Sequence, residues 1–214
     1  DAGPRAVRAY PVKQSGAGYS ARIENILTSE DTWYRPSDVC VAPDGALFIS
    51  DWNDAVVGGH NMADRKLEEM SGRIYRIAPK GNQPKVPKFR LDRVSGAVRA
   101  LKSPNLATRY MGWTALEKMG NDAEKALVKV WKGKNPRHRA RALHLLARLK
   151  GKTDQYIQAG LEDKNPNIRI AALRIARERK VELVSLVSKL VKDPSPQVRR
   201  DCAIALRHEP SALG

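Results

Sequence analysis

Six side chains in the N-terminal part of the chain have types that could do chemistry: Arg35, Asp38, Asp51, Trp52, His60 and Arg73. Arg35 precedes an apolar run, whereas Asp51 and Trp52 follow one, so these residues are expected near strand ends, where ligand contacts gather. His60 could act as an acid or base because an unperturbed imidazole titrates near neutrality, yet no nucleophile or carboxylate pairs with it from sequence. The stretch Asp51 to Asp64 carries oxygen ligands on Asp51, Asn53, Asp54, Asn61 and Asp64, but not in EF-hand spacing, so no metal is assigned. Hydrogen bonding between neighbouring sheets is the structural alternative for all six.

Arg137, His138 and Arg141 form a second, denser group with Arg139. They suit a partner carrying negative charge, an acidic protein or a polysaccharide; a solvated basic face is the alternative. No aromatic residues interleave with them, which disfavours nucleic acid. His144 and His208 read as incidental helix residues. The chain contains no nucleotide-binding glycine fingerprint, nucleophile elbow, zinc motif or haem attachment sequence, so catalytic residues stay unassigned and no cofactor is assigned to it.

Charge separates the chain into two parts. Of its net +16, residues 1–90 hold 13 Lys/Arg and 11 Asp/Glu, and residues 91–214 hold 26 and 12. A positive field of that kind attracts anionic partners without choosing among them. No run approaches the roughly 20 apolar residues of a membrane span. The chain starts at Asp1 rather than Met, as expected of a processed or excised protein, so any signal peptide or anchor would lie outside it. Cys40 falls in a strand and Cys202 at a small-residue helix position; neither has metal spacing, and both are expected to be buried.

The elements that must position these residues are strands first and helices second. Ala6–Val12 and Tyr19–Leu27 flank a turn-rich Gln14–Gly18 and read as an antiparallel pair. Asp38–Ala42 and Ala46–Ser50 flank Pro43-Asp44-Gly45, a second hairpin, and Arg73–Ala78 follows. Five short strands with no crossover helix make an antiparallel meander: about one four-stranded β-propeller blade plus the edge of the one before, over residues 1–82. A closed propeller needs several more. A linker is expected at 83–94 and helices over 95–214.

The helical part repeats. Arginine recurs every 30 residues at Arg109, Arg139, Arg169 and Arg199; three residues on stand Gly112, Ala142, Ala172 and Cys202, and seven on Leu116, Leu146, Ala176 and Leu206. Small and apolar positions in fixed register are what stacked helices require. Ser103-Pro104, Asn135-Pro136, Asn165-Pro166 and Ser195-Pro196 each place a capping side chain before a proline that suits a first helical turn. They open second helices of pairs whose first members read as Ser95–Lys102, Asp122–Lys132, Asp154–Leu161 and Glu182–Lys192, the last with Leu183, Val184, Val187, Leu190 and Val191 on one face. Asn121 and Glu124 are spaced as a capping box. The recurrent arginines are expected to bond helices together. These helix pairs resemble HEAT repeats, and that resemblance implies pairing of Asp163 with Arg169 and of Asp193 with Arg199, while Ser103 and Gly133 hold the equivalent positions earlier.

The order WYRPSDVCVAPDG, LFISDW, GGHNM, GRIYRIAPKG and then SPNLATRYMGWTALEKMG resembles the planctomycete and verrucomicrobial membrane-bound dehydrogenase family. In that family a propeller similar to quinoprotein sugar dehydrogenases is followed by HEAT repeats and a c-type cytochrome. The resemblance implies an α+β chain: a propeller portion, then an α-solenoid of about four HEAT-type pairs. It implies a junction or scaffold role in an extracytoplasmic redox protein, whose parent chain would carry pyrroloquinoline quinone and haem c. It also implies that Arg35, Asp38, Asp51, Trp52, His60 and Arg73 lie toward a cofactor, and that other blades and a cytochrome domain are the partners. The segment alone is not expected to be catalytic. A stand-alone HEAT-type module with a basic face is the competing expectation.

Overall fold

A computed structural model describes residues 1–55, 71–81 and 85–207. The chain is α+β, with small antiparallel sheets followed by helices. It forms two compact units, whose described residues lie within Asp1–Lys13, Ser20–Lys88 and Asn105–Ala107 for one and Gln14–Tyr19, Phe89–Pro104 and Thr108–Gly214 for the other.

Strand β1 (Ala6–Ala9) pairs antiparallel with β4 (Glu24–Thr28), with a register shift at Val7/Arg8, and β2 (Val12–Ser15) pairs with β3 (Gly18–Ala21). The expected single hairpin is thus two successive pairings, divided where Tyr10 and Pro11 interrupt the first strand. Proline lacks the N–H that a continuous ladder needs. Strands β5 (Pro36–Val41), β6 (Leu47–Asp51) and β7 (Arg73–Ile77) form a three-stranded antiparallel sheet in that order. Gly45 takes φ +89° in the β5–β6 turn, where Asp44 Oδ1 accepts from the Ala46 N–H at 2.9 Å.

Among the described residues there is no four-stranded blade and no closed propeller. Val39, Ile49 and Tyr75 stand in one register row across the sheet, yet Ile49 is buried while Val39 is 47% exposed and, on β7, Ile74 is 75% exposed. The core of this unit is small, built on Ala6, Val7, Tyr34, Ala46 and Ile49. Cys40 on the edge strand β5 is exposed rather than buried, because much of that strand lacks a covering layer.

The helices are α1 (Val94–Leu101), α2 (Leu106–Met119), α3 (Glu124–Trp131), α4 (Pro136–Leu146), α5 (Thr153–Leu161), α6 (Pro166–Glu178), α7 (Val184–Ser188) and α8 (Pro196–Leu206). α3 packs on α4, α5 on α6 and α7 on α8, while α4, α6 and α8 pack in succession. Leu116, Leu127, Leu143, Leu146, Ile157, Leu173, Val187 and Val198 belong to one continuous apolar core. Asn135 caps α4, accepting from the Arg137 and His138 N–H groups at 3.0 and 3.2 Å, and Asn165 caps α6 at 2.9 Å, each contributing about 1 kcal/mol.

Three local expectations are corrected. The Asn121/Glu124 capping box does not form, because a 3-10 turn over Gly120–Ala123 runs directly into α3; Glu124 instead accepts from the Tyr156 hydroxyl at 2.7 Å. Burial and then that hydrogen bond push the Tyr156 phenol up to about 12. α2 opens two residues beyond Pro104, and Ser195 makes no side-chain cap. α7 is short, since its serine and β-branched valines are weak helix formers, and its buried set is Leu186 and Val187 flanked by Leu183 and Leu190, with Val191 48% exposed.

The small position after Arg109 has a steric cause. A Cβ on Gly112 would stand 2.6 Å from the Leu101 nitrogen and 2.8 Å from the Ala97 oxygen. These are backbone atoms, which cannot swing away. Gly112→Val is therefore expected to cost about 3 kcal/mol, at the upper end of overpacking penalties, as read by thermal denaturation.

Candidate functional site

Asp51, at the end of β6, has a fully buried side chain and gathers the sheet unit's polar groups around it. Its Oδ1 accepts from the Arg35 N–H at 2.7 Å and the Asn53 N–H at 2.9 Å; its Oδ2 accepts from Arg73 Nε at 2.8 Å. Arg73 also donates through Nη1 to Asp31 at 2.8 Å and through Nη2 to Asn53 Oδ1 at 2.5 Å. The Arg35 guanidinium reaches the carbonyls of Tyr34 and Ala55 at 2.9 and 3.1 Å. Antiparallel register places Asp51 directly across from both Pro36 and Arg73, which is why residues far apart in sequence converge.

Electrostatics match this arrangement. Asp31 is held below the usual carboxylate range, first by the Trp33 N–H and then by Arg73. Burial works against the charge on Arg73, but its bonds to Asp31 and Asp51 outweigh that and raise it. Burial raises both Tyr34 and Tyr75, whose rings meet edge to face at 5.8 Å. The Tyr34 hydroxyl is buried with no hydrogen-bond partner among the described residues.

Arg35, Asp51 and Arg73 are thus brought together and bond chiefly to one another. Asp38 stands apart on exposed β5, its carboxylate accepting from the Val39 N–H at 2.7 Å. Trp52 is 64% exposed and borders an open hollow of about 590 Å³ with Ser37, Ser50 and Ile74. His60 lies outside the described residues, as do Asn61 and Asp64 of the acidic loop. Among the described residues no group of three or more His, Cys, Asp or Glu could hold a metal ion, and no helix is long and apolar enough to cross a membrane. Asp31, Tyr34 and Tyr75 were not singled out from sequence, and Asn53 was weighed only as an oxygen ligand of the acidic stretch. Asn53 adopts φ +57°, which asparagine tolerates and which aims its amide oxygen at Arg73.

In the helical unit the recurrent arginines bond forward. Arg139 pairs with Asp163, and Arg169 binds Asp193 through Nε and Nη2 at 2.8 Å each. The expected Asp163–Arg169 and Asp193–Arg199 carboxylate pairs are corrected: Arg169 and Arg199 donate to the backbone carbonyls of Asp163 and Asp193, at 2.7 and 2.6 Å. The carboxylates turn to the preceding repeat's arginine and also accept the Asn165 and Ser195 N–H groups at 2.9 and 2.8 Å.

The basic group Arg137, His138 and Arg141 is likewise brought together, at the joint between α1 and α2. Arg141 Nη1 donates to the carbonyls of Leu101 and Ser103 at 2.9 and 3.2 Å, and Arg109 Nη1 donates to that of Pro104 at 3.1 Å. Burial and then the charges of Arg141 and Lys102 lower the His138 imidazole; burial and then Arg109 and Arg137 lower Arg141. No curated protein matches the chain. Residues 4–81, which carry the strands and the Asp51 cluster, match the family model described as a domain of unknown function (DUF7133).

Proposed function

We propose that this chain is a junction and scaffold segment of a large extracytoplasmic quinoprotein-dehydrogenase-like protein. Its sheet unit contributes to a β-propeller completed by other blades, and its helical unit is a HEAT-type solenoid that docks a cytochrome domain or a partner. The observation that carries this reading is the 30-residue period, with its forward Arg–Asp bonds, following directly on a three-stranded antiparallel sheet. The exposed Val39, Val41 and Ile74 support a sheet that takes further neighbours in the parent protein.

Asp51, Arg35 and Arg73 spend their polar atoms on fixing the strand ends, so the segment supports a site rather than performing chemistry. The redox work would belong to pyrroloquinoline quinone and haem c elsewhere in the parent chain. Reconstituting the intact parent with that quinone tests the assignment. A spectral change with oxidation of sugars or related alcohols is expected; no change and no turnover removes the redox part and leaves an interaction module.

A further inference from the structure

The forward bond fails at one step. The residue 24 positions after Arg139 is Asp163 and the one 24 after Arg169 is Asp193, but the residue 24 after Arg109 is Gly133. Arg109 therefore occupies the register of an ion-paired arginine without the carboxylate that the next two steps supply. Its one side-chain bond among the described residues, to the Pro104 carbonyl, matches the bonds that Arg169 and Arg199 make to carbonyls of their own turns.

Further cations gather at that step. Among the described residues Arg141 donates through Nη1 alone, to Leu101 and Ser103, which leaves the rest of its fork uncommitted there. The exposed Arg137 and Lys102 stand close enough to perturb Arg141 and His138 respectively. Among the described residues no carboxylate ion-pairs with Arg109, Arg137 or Arg141, although Arg139, Arg148, Arg169, Arg174 and Arg200 all have one. The carbonyls that orient Arg109 and Arg141 are neutral, so among the described residues the positive charge is held in place but not compensated. Guanidinium forks fixed this way match a carboxylate's geometry.

We infer that Arg109, Arg137 and Arg141 form a binding site for a carboxylate of an acidic polypeptide, which fills in trans the position that Asp163 and Asp193 fill in cis. This rests on the helical unit being a docking surface and is independent of the redox assignment. The ligand is a carboxylate rather than a phosphate because two equivalent arginines in the same chain already hold one.

The test uses a hexa-aspartate peptide, a hexa-asparagine control and a (dT)7 oligonucleotide of equal charge, titrated into the full chain at about 50 mM salt, where screening is modest. The aspartate peptide is expected to bind and the control not to. Arg137→Gln, at an exposed side chain, is expected to weaken binding about tenfold through loss of one charge-assisted bond. Gly133→Asp supplies the carboxylate in cis and is expected to abolish peptide binding. It should also raise Tm by about 2–4 °C relative to Gly133→Ala, which controls for the added Cβ and should still bind. No peptide binding to the native chain, unchanged binding in Gly133→Asp, or tighter binding of (dT)7 overturns the inference. Any of these leaves the quinone reconstitution of the parent unaffected.

Discussion

Arg169→Met is expected to lower the stability of the helical unit by about 3 kcal/mol, because it leaves the Asp193 carboxylate buried without its counter-charge. The side chains are 11% and 4% exposed, and two bonds of 2.8 Å are lost together. A thermal melt followed by helical circular dichroism should shift down by about 10 °C. The double variant Arg169→Met/Asp193→Leu should recover most of that loss, since it removes the stranded charge; a double variant as unstable as the single one would show that packing, not charge, dominates there.

The same pair has a defined pH dependence. Burial alone would raise Asp193, but the Arg169 hydrogen bonds, the Ser195 N–H and the charges of Arg169 and Arg199 outweigh it and hold the carboxyl below its ordinary value. A carboxyl lowered on folding contributes stability fully present above its unfolded pKa of about 3.9 and lost as pH falls through the lower folded value. The native chain should therefore keep its advantage over Arg169→Met at neutral pH and lose it progressively below about pH 4.

Asp51→Ala is the second large effect, and it falls on the sheet unit. It strands the Arg35 and Asn53 backbone N–H groups and removes the Arg73 Nε partner in one step. Unsatisfied buried donors and a lost charge partner together cost about 3 kcal/mol. Because the chain has two units, a single unfolding midpoint would mix them. Hydrogen exchange of the β5–β7 amides isolates the effect, and protection there should fall about 100-fold with the helical amides unchanged. Asp51→Asn, which keeps an acceptor oxygen, should fall by less.

The helical period was legible in the sequence because steric need recurs: Gly112 is small where a backbone nitrogen would stand 2.6 Å from any Cβ. The partners of the arginines were legible only by type. Asp163 and Arg169 are close in sequence and do bond, but through a backbone carbonyl, while the carboxylate reaches back to Arg139. Which repeat a side chain faces depends on how one helix pair lies on the next, and local spacing does not encode that. In the sheet, Arg35, Asp51 and Arg73 converge as their strand-end positions suggested. Asp31 was missed, and Asn53 was weighed only as a metal ligand, although the first holds the Trp33 N–H at 2.9 Å in a short turn and the second uses a positive φ, both marks of turn residues. Cys40 read as buried because alternation along a strand shows which side chains share a face, not whether that face is covered.

The forward direction of the Arg–Asp bonds bears on how such an array can change in length. Any 30-residue block taken from the Arg139–Asp193 region carries one cation that reaches ahead and one anion that receives from behind. A duplicated block inserted in register would join both neighbours without orphaning either charge, and a deleted one would let them rejoin. Growth by whole modules is thus electrostatically neutral here, whereas an insertion of any other length would leave an arginine and an aspartate facing nothing.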